Sequence, residues 1–311
     1  MRVAVVGTGV ASPVLACPGD VLRPVQAMTG FDPGALLGGR SLRYKDRATR
    51  LGLLAAHRAL ADAGLLGETG TAVSRADVGV VVSSNLGNLD TVCRTAAAIA
   101  TGSVTDAVPM DLPNASSNVI ASSIAIRFGL RGPNVMLCNG PSSGLDAVFL
   151  AASLIGSGRA HRVVLVGVEP VNDVVASLVQ APPPGLFDGA VAVVLESVVA
   201  AAARGVVPLA ILGGYARRAA TDDSVGQVIG NGAHPAFWLA GRTTATPPPL
   251  ADARRKDLEA ELGTASGALG VLQVVAGTCW LDDGEAPVVA TAGNPADGVA
   301  SLLLCAAGGA A

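Results

Sequence analysis

The sequence predicts an α/β protein in which two similar βαβαβ-type halves pack as a layered sandwich. Segments with the residue types of strands alternate with segments of helical periodicity along most of the 311 residues. The strands at 78–82 and 163–166 are almost wholly apolar and rich in valine, as expected when helices cover both faces of a sheet. The chain also contains helical segments without a polar face, which indicates buried central helices.

The first half is placed at residues 1–198. Valines near the start of the chain indicate a buried strand, and apolar residues then recur at helical spacing up to Gly64, a residue typical of helix ends. The proline and glycine run at 182–185 interrupts the pattern before one further strand. The predicted elements are strands at 3–6, 78–82, 135–137, 163–166 and 190–195, and helices at 48–65, 89–100, 114–128 and 142–155.

The second half is placed at residues 199–311 and is predicted to be similar in kind. Its stretch 215–249 is rich in glycine, proline and threonine and is interpreted as the main loop region. The uncharged stretch 264–281 is about as long as a minimal membrane span, but its glycines and Gln273 favour a buried helix. The predicted elements are strands at 209–212, 288–291 and 301–304, a charged surface helix at 250–262 and the buried helix at 266–281.

Composition excludes several classes of protein. Hydrophobic residues make up 50% and charged residues 14%, so much of the chain must be buried in its own core or against a partner. A net charge of −3 and the lack of a visible Lys/Arg face argue against nucleic-acid binding. The cysteines are scattered without a CxxC pair, which predicts buried thiols in a reducing cytoplasm and neither a disulfide framework nor a metal site. These cysteines are Cys17, Cys93, Cys138, Cys279 and Cys305.

The most informative stretch runs from 114 to 147. The segment GLRGP, residues 129–133, ends a predicted helix and begins a strand. That strand leads through a tight turn into a helix that begins near Ser142 and Ser143. A strand–turn–helix corner built from small residues can expose a nucleophile at a helix N-terminus, where the helix dipole stabilises an anion.

GLRGP together with SSGLDA, residues 142–147, resembles the nucleophile elbow of the β-ketoacyl synthases. Other segments agree with this resemblance, which is dense over residues 1–200 and thin afterwards. It implies a thiolase-like fold and an acyl-condensing ancestry. The supporting segments are VAVVGTGVAS at 3–12, AAHRALADAGL at 55–65, VVLVGVE at 163–169 and GLFDGAVAVVLE at 185–196.

The catalytic residues that the resemblance implies are missing. The family's cysteine nucleophile precedes the SSG segment, and this chain has Pro141 there, which lacks both a thiol and a backbone N–H. RTTATP resembles the family's HGTSTP, with Arg242 at the first histidine. GTASGALG resembles GHLLGAAG, with Thr264 at the second histidine and Glu259 at the preceding lysine. The chain is therefore expected to have no catalytic residue for condensation, and no metal or cofactor.

Synthases of this family pair as dimers through the strand before the elbow. Members without the cysteine resemble chain-length factors, the partners of ketosynthases in type II polyketide systems, including the smaller factors of polyene-forming systems. The resemblance then implies a heterodimer with a ketosynthase, contact with acyl carrier protein through the complex, and an acyl tunnel shaped by this chain. The residues expected in the pairing strand are Asn134, Val135, Met136, Leu137, Cys138 and Asn139.

The resemblance also places one helix at the tunnel. Its tunnel-lining candidates are Leu89, Val92, Cys93 and Ala97, and the alternative is that they are ordinary core residues at helical spacing. A second open question concerns a run of basic residues, which is either a carrier-protein patch or a solvated charged surface. That run comprises Arg40, Arg43, Lys45, Arg47 and Arg50.

Two other functions stay open. The chain could be a homodimeric acyltransferase or cyclase that uses Ser142, Cys138 or His234, or a scaffold that binds carrier protein without shaping a tunnel. The simpler interpretations are that Ser142 and Ser143 cap the helix and that Cys138 is a buried thiol at a strand end.

Overall fold

The computed structural model describes residues 1–23, 27–67, 70–72, 76–106, 108–230, 233–241, 247–282 and 286–308. The strands within these ranges are β1 (Val3–Ala11), β2 (Val78–Ser83), β3 (Asn134–Leu137), β4 (Arg162–Glu169), β5 (Gly189–Ser197), β6 (Ala210–Arg218), β7 (Phe237–Ala240), β8 (Arg254–Asp257), β9 (Val288–Asn294) and β10 (Gly298–Cys305). The helices are α1 (Pro33–Leu37), α2 (Arg47–Asp62), α3 (Leu89–Thr101), α4 (Asp111–Asn114), α5 (Val119–Phe128), α6 (Ser143–Gly156), α7 (Asp173–Val179), α8 (Val198–Ala203), α9 (Thr221–Ile229), α10 (Leu258–Leu262) and α11 (Leu269–Asp282).

In the described part of the chain, the strands form a ten-stranded sheet whose two halves repeat one topology. The order is β3-β2-β4-β5-β1-β6-β10-β9-β7-β8. When the strands of each half are numbered from its first strand, β1 or β6, and read from the outer edge inward, both halves have the order 3-2-4-5-1. The halves join where β1 and β6 pair antiparallel over three residues, Val3, Ala4 and Val5. The expected pair of sheets is thus hydrogen-bonded edge to edge, while the division at residue 198 stays a prediction.

The two outer edges of this sheet, β3 and β8, differ in chemistry. Each is paired on one side only, to β2 and to β7 respectively, and both pairings are parallel. The β8 edge carries Arg254, Arg255 and Lys256, charges that discourage further strand pairing. The β3 edge carries no charged side chain, and each of its residues is half-buried. Of the two edges, β3 is therefore the one open to another strand.

The central helix layer consists of α6 and α11. Both helices contact strands of both halves, while α2 and α5 cover the outer face of the first half and α9 covers that of the second. Their first turns cross at two glycines: a Cβ on Gly144 would lie 2.5 Å from the backbone nitrogen of Gly270. Such an approach is closer than any Cβ permits, so the crossing requires glycine. No helix in the described ranges is long and apolar enough to span a membrane.

Two predictions for the second half are wrong. The supposed loop region 215–249 contains the end of β6, all of α9 and β7, with Val225 and Trp238 fully buried. The glycines in this stretch do not mark one loop: Gly226 lies inside α9, and a Cβ on Gly241, just after β7, would lie 3.1 Å from the Thr291 carbonyl oxygen. The supposed surface helix 250–262 is β8 followed by the short α10, because pairing with β7 overrides local propensity.

A third prediction, the helix at 114–128, is correct only from Val119 onward. The short α4 ends at Asn114, and α5 begins at Val119 after Asn118. The Asn118 side-chain amide donates hydrogen bonds to Ser122 Oγ and to Asn134 Oδ1 on β3, and the residue does not continue a helix. Asparagine competes in this way for local hydrogen bonds, which disfavours the helix interior.

Candidate functional site

The elbow loop, residues 138–142, connects the edge strand β3 to the central helix α6. Gly140 has a φ of +86°, which side chains other than glycine rarely adopt. Pro141 follows and is half-buried. Its locked φ and missing N–H suit the start of a helix, where that N–H would have no helical partner. The position that the resemblance gives to a nucleophile is therefore filled by a residue that favours a helix start.

Asn85, just after β2, clamps this loop from the side of the first half. Its Nδ2 donates to the carbonyl oxygen of Gly140 at 3.0 Å, and its Oδ1 accepts from the backbone nitrogen of Gly140 at 3.2 Å. The same amide donates to Ser266 Oγ at 2.8 Å and accepts from Ser143 Oγ at 3.1 Å. One side chain thus joins the elbow, the start of α6 and the turn before α11.

Glu169, the last residue of β4, lies beneath this arrangement and is 2% exposed. Its Oε1 accepts from the backbone nitrogens of Asn85 at 2.8 Å and Gly267 at 2.9 Å. Its Oε2 accepts from the Leu86 nitrogen at 3.0 Å and from Ser84 Oγ at 3.1 Å. Burial raises the pKa of Glu169 to about 7, and the backbone donors oppose that rise.

Asp146, in the first turn of α6, holds the elbow from the other side. It accepts from Ser142 Oγ at 2.9 Å and from Arg217 Nη1 at 2.9 Å. Asn139 and Tyr215 also donate to its carboxylate. Burial and the hydrogen bond to Asp146 raise the pKa of Tyr215, which keeps its hydroxyl a donor. Because Tyr215 and Arg217 lie on β6, this cluster ties the elbow to the second half.

Ser142 and Ser143 hydrogen-bond within the elbow, and no histidine or lysine is among their partners in the described residues. Ser142 occupies the N-cap position of α6 but accepts no hydrogen bond from a helix N–H, so the capping prediction is wrong for its hydroxyl. Ser143 Oγ accepts from the Asn139 backbone nitrogen at 2.8 Å. Within the described residues, the partners of both hydroxyls are asparagine and aspartate side chains and backbone groups. His234 is exposed in the segment before β7.

The segment with Thr264 lies beside the start of β5. Thr264 is half-buried, donates its N–H to the Gly185 carbonyl oxygen at 2.9 Å, and accepts from the Phe187 nitrogen at 3.0 Å. Glu259 is buried and accepts from the Ala265 nitrogen at 2.7 Å, so it holds the turn before α11. Arg242 lies outside the described residues.

Cys138 is exposed, so the prediction of a buried thiol at this position is wrong. β3 is an edge strand of the sheet, and Cys138 directly follows its last residue, Leu137. The Cys138 thiol donates to the Asn85 carbonyl oxygen at 3.8 Å. Cys17 and Cys93 are exposed as well, whereas Cys305 is buried.

The tunnel candidates lie on α3. Val92, Cys93 and Ala97 are exposed, and Leu89 is half-buried. The alternative that they are ordinary core residues is therefore wrong for the three exposed side chains. Whether they line a tunnel stays a prediction.

The basic run is not a free patch. Arg47 forms an ion pair with Asp188, and Lys45 Nζ donates to Asn114 Oδ1 at 3.1 Å. Arg43 is exposed, and Arg50 is half-buried with a buried Nε. Two of the five cations are thus occupied within the chain, which weakens the carrier-protein alternative.

Sequence reasoning missed the three residues that organise this site, Asn85, Asp146 and Glu169. Glu169 carries a signal, because a single carboxylate ending the apolar strand VVLVGVE must find donors where the strand ends. Asn85 carries none, since its side-chain partners lie 55 or more positions away. Asp146 has two near partners, Ser142 and Asn139, but its link to β6 depends on residues 69 and 71 positions away.

Comparisons with known proteins agree with this geometry. The family model described as the β-ketoacyl synthase N-terminal domain matches residues 16–180. A 3-oxoacyl-[acyl-carrier-protein] synthase 2 of Vibrio harveyi is 30% identical over 142 residues, which cover 46% of this chain and 34% of that protein. The tetracenomycin polyketide synthase ketoacyl synthase alpha subunit of Streptomyces glaucescens is 33% identical over 141 residues, 43% of this chain and 32% of that protein. These matches thus span about a third of each relative.

Solved structures share the whole fold at low identity. The ishigamide ketosynthase/chain length factor matches with a TM-score of 0.78 and 19% identity over 98% of this chain and 99% of that chain. A type II polyketide synthase acyl-carrier protein in complex with its ketosynthase matches with a TM-score of 0.80 and 15% identity, over 98% and 99% of the two chains. These likenesses establish a thiolase-like fold. Because the family model covers more than half of the residues, the chain belongs to the β-ketoacyl synthase family.

Proposed function

We propose that this chain is a catalytically silent partner subunit of a type II polyketide ketosynthase, with the role of a chain-length factor. The observation that carries the proposal is Pro141 at the elbow position where the family has its cysteine. Proline cannot form an acyl thioester, and it supplies no N–H to a developing oxyanion. The neighbouring Ser142 donates its hydroxyl to the Asp146 carboxylate, which also accepts from Tyr215 and Arg217, and no histidine bonds to this hydroxyl among the described residues.

The open edge of the sheet supports a partner subunit. β3 exposes a row of backbone groups on one side and has no charge to repel a second strand. Residues 134–139 would pair there with the equivalent strand of the synthase, which is a general way for one sheet to add to another. The charged β8 at the opposite edge does not offer this.

An apolar surface around α3 supports the same assignment. Several large hydrophobic side chains between residues 92 and 112 are exposed, and exposed apolar patches commonly mark interaction sites. They are Val92 at 37% exposure, Ile99 at 41%, Val104 at 68%, Val108 at 54%, Met110 at 50% and Leu112 at 49%. A permanent partner would remove this area from water, as large obligate interfaces do.

The tunnel assignment comes from the family resemblance, and the position of α3 within that surface is consistent with it. Leu89, Val92, Cys93 and Ala97 would face a chain growing on the partner's cysteine. Among the proteins of the same fold are a ketosynthase/chain length factor and a ketosynthase in complex with its acyl-carrier protein. These likenesses support a ketosynthase as the partner and contact with carrier protein through the complex.

Co-expression with a type II polyketide ketosynthase tests the partner assignment. We expect a one-to-one complex by native mass spectrometry, and an aggregated product when this chain is made alone, because the apolar surface is then uncovered. A soluble homodimer that does not bind the synthase would overturn the proposal. The acyltransferase alternative would then be tested by intact-mass detection of an acyl adduct that is lost in Ser142→Ala or Cys138→Ala.

Enlarging Val92 tests the tunnel. In an intact complex, Val92→Phe should shorten the polyketide product by at least one extension unit, because a benzyl group fills space that the growing chain would use. Product length is read by mass spectrometry of carrier-bound chains. Val207→Phe is the matched control, since Val207 is 79% exposed outside the α3 surface. An intact Val92→Phe complex with unchanged products would leave only a scaffold role.

A further inference from the structure

Asn85 uses the full hydrogen-bonding capacity of its side chain. An amide offers two N–H donors and two acceptor positions on its oxygen. Here the donors go to the Gly140 carbonyl oxygen and Ser266 Oγ, and the acceptors take the Gly140 nitrogen and Ser143 Oγ. The backbone of Asn85 is held too, because its N–H goes to Glu169 and its carbonyl oxygen accepts from Cys138.

These contacts join the two surfaces that a partner would touch. Asn85 lies in the short segment between the end of β2 at Ser83 and the start of α3 at Leu89. Its side chain grips both polar atoms of the Gly140 backbone, and residue 140 lies three positions after the end of β3. Asn85 therefore links the loop after the edge strand to the segment that leads into the apolar helix.

The bond to Ser266 extends this link to the second half. Ser266 has a φ of +44°, a conformation that residues other than glycine seldom adopt. Asn85 donates to the Ser266 hydroxyl, and Glu259 accepts from its backbone nitrogen at 3.3 Å. A residue keeps such a strained backbone conformation only where the surrounding contacts hold it in place, as these two hydrogen bonds do for Ser266.

We infer that Asn85 is a positioning residue that sets the placement of β3 relative to α3, and with it the affinity of the chain for its partner synthase. This inference rests on the proposed function. Pro141 has no N–H with which to hold this turn, and the Asn85 side chain bonds to both backbone polar atoms of the preceding residue, Gly140. Gly140 would otherwise be free to change conformation.

Hydrogen exchange and partner affinity test the inference together. Asn85→Leu keeps the shape of the side chain and removes all four of its hydrogen bonds, while Asn85→Ala removes the bonds and the volume. In both variants, exchange in the peptide covering residues 138–143 should accelerate at least about tenfold. The dissociation constant for the co-purified synthase should rise about tenfold in both variants. Both lose the hydrogen bonds of Asn85, and we expect this loss, and not the change in side-chain volume, to weaken binding.

Two further variants keep the test decisive. Ser266→Ala removes only the bond to the second half, so it should fold normally and weaken partner binding less than Asn85→Leu. Asn294→Leu is the control, because the hydrogen bonds of the Asn294 side chain stay within the β9–β10 hairpin. A merely structural role would lower the melting temperature in Asn85→Leu without changing partner affinity, and that result overturns the inference.

Failure of the inference is distinguishable from failure of the proposed function. If the wild-type chain binds no synthase, the proposed function falls, and the affinity part of the inference falls with it. Exchange in the elbow peptide of Asn85→Leu then still decides whether Asn85 positions the loop. If wild type and Asn85→Leu bind equally well, only the inference is lost.

Discussion

Replacing Gly270 by alanine is expected to destabilise the fold by about 3 kcal/mol or more. A Cβ at this position would lie 2.2 Å from the Leu145 nitrogen and 2.4 Å from the Gly144 carbonyl carbon, so the contact is with backbone that cannot rotate away. The first turns of α6 and α11 would have to separate, and both helices contact strands of both halves. Urea unfolding followed by circular dichroism measures the loss.

Gly226→Ala is the matched control. Gly226 lies inside α9, and a Cβ there meets nothing within 4 Å. Alanine should stabilise this helix by up to about 1 kcal/mol, because it lowers the backbone entropy of the unfolded chain. A Gly270→Ala protein with wild-type stability would contradict the close crossing of α6 and α11.

Removing the buried carboxylate should have a comparably large effect. Glu169→Ala leaves three backbone N–H groups and the Ser84 hydroxyl without their acceptor, and a loss of at least about 3 kcal/mol is expected. Glu261→Ala is the control, because Glu261 pairs with Lys256 on the surface and its loss should cost less than about 1 kcal/mol. Equal losses in the two variants would mean that the four donors find other partners.

The same carboxylate predicts a dependence of stability on pH. Burial raises the pKa of Glu169 from 4.5 to about 7 in the folded chain. The folded state then binds the proton on the Glu169 carboxyl group more tightly than the unfolded state does. The stabilisation that this proton gives to the folded state is fully present below pH 4.5 and is lost as the pH rises to about 7. The predicted loss across this window is about 3 kcal/mol.

Glu169→Gln isolates this effect, because glutamine does not titrate. The stability of the wild type should fall relative to Glu169→Gln as the pH rises through the window, and urea unfolding at a series of pH values measures it. Parallel pH profiles for the two proteins would mean that the backbone donors keep Glu169 ionised throughout.

Much of the fold could be predicted because its signals are local. The buried strand at 163–166 and the apolar helix at 266–281 are runs whose period does not depend on distant residues. The elbow could be placed for the same reason, since GLRGP and SSGLDA carry their own turn and helix-start residues. The strand β8 and the helix and strands within residues 215–249 could not be predicted, because they depend on pairing with β7 or on packing under α9.

The candidate site divides in the same way. The sequence by itself determined that Pro141 stands where a nucleophile is expected and that no histidine lies in the matching segments, since residue identity needs no coordinates. Only the tertiary structure decided that Cys138 is exposed, that β3 is an open edge and that α3 presents an apolar face. It alone brought Asn85, Asp146 and Glu169 to the elbow. The physical reason is that hydrogen bonds between residues tens of positions apart leave no periodic trace in the chain, whereas a hydrophobic face or a proline does.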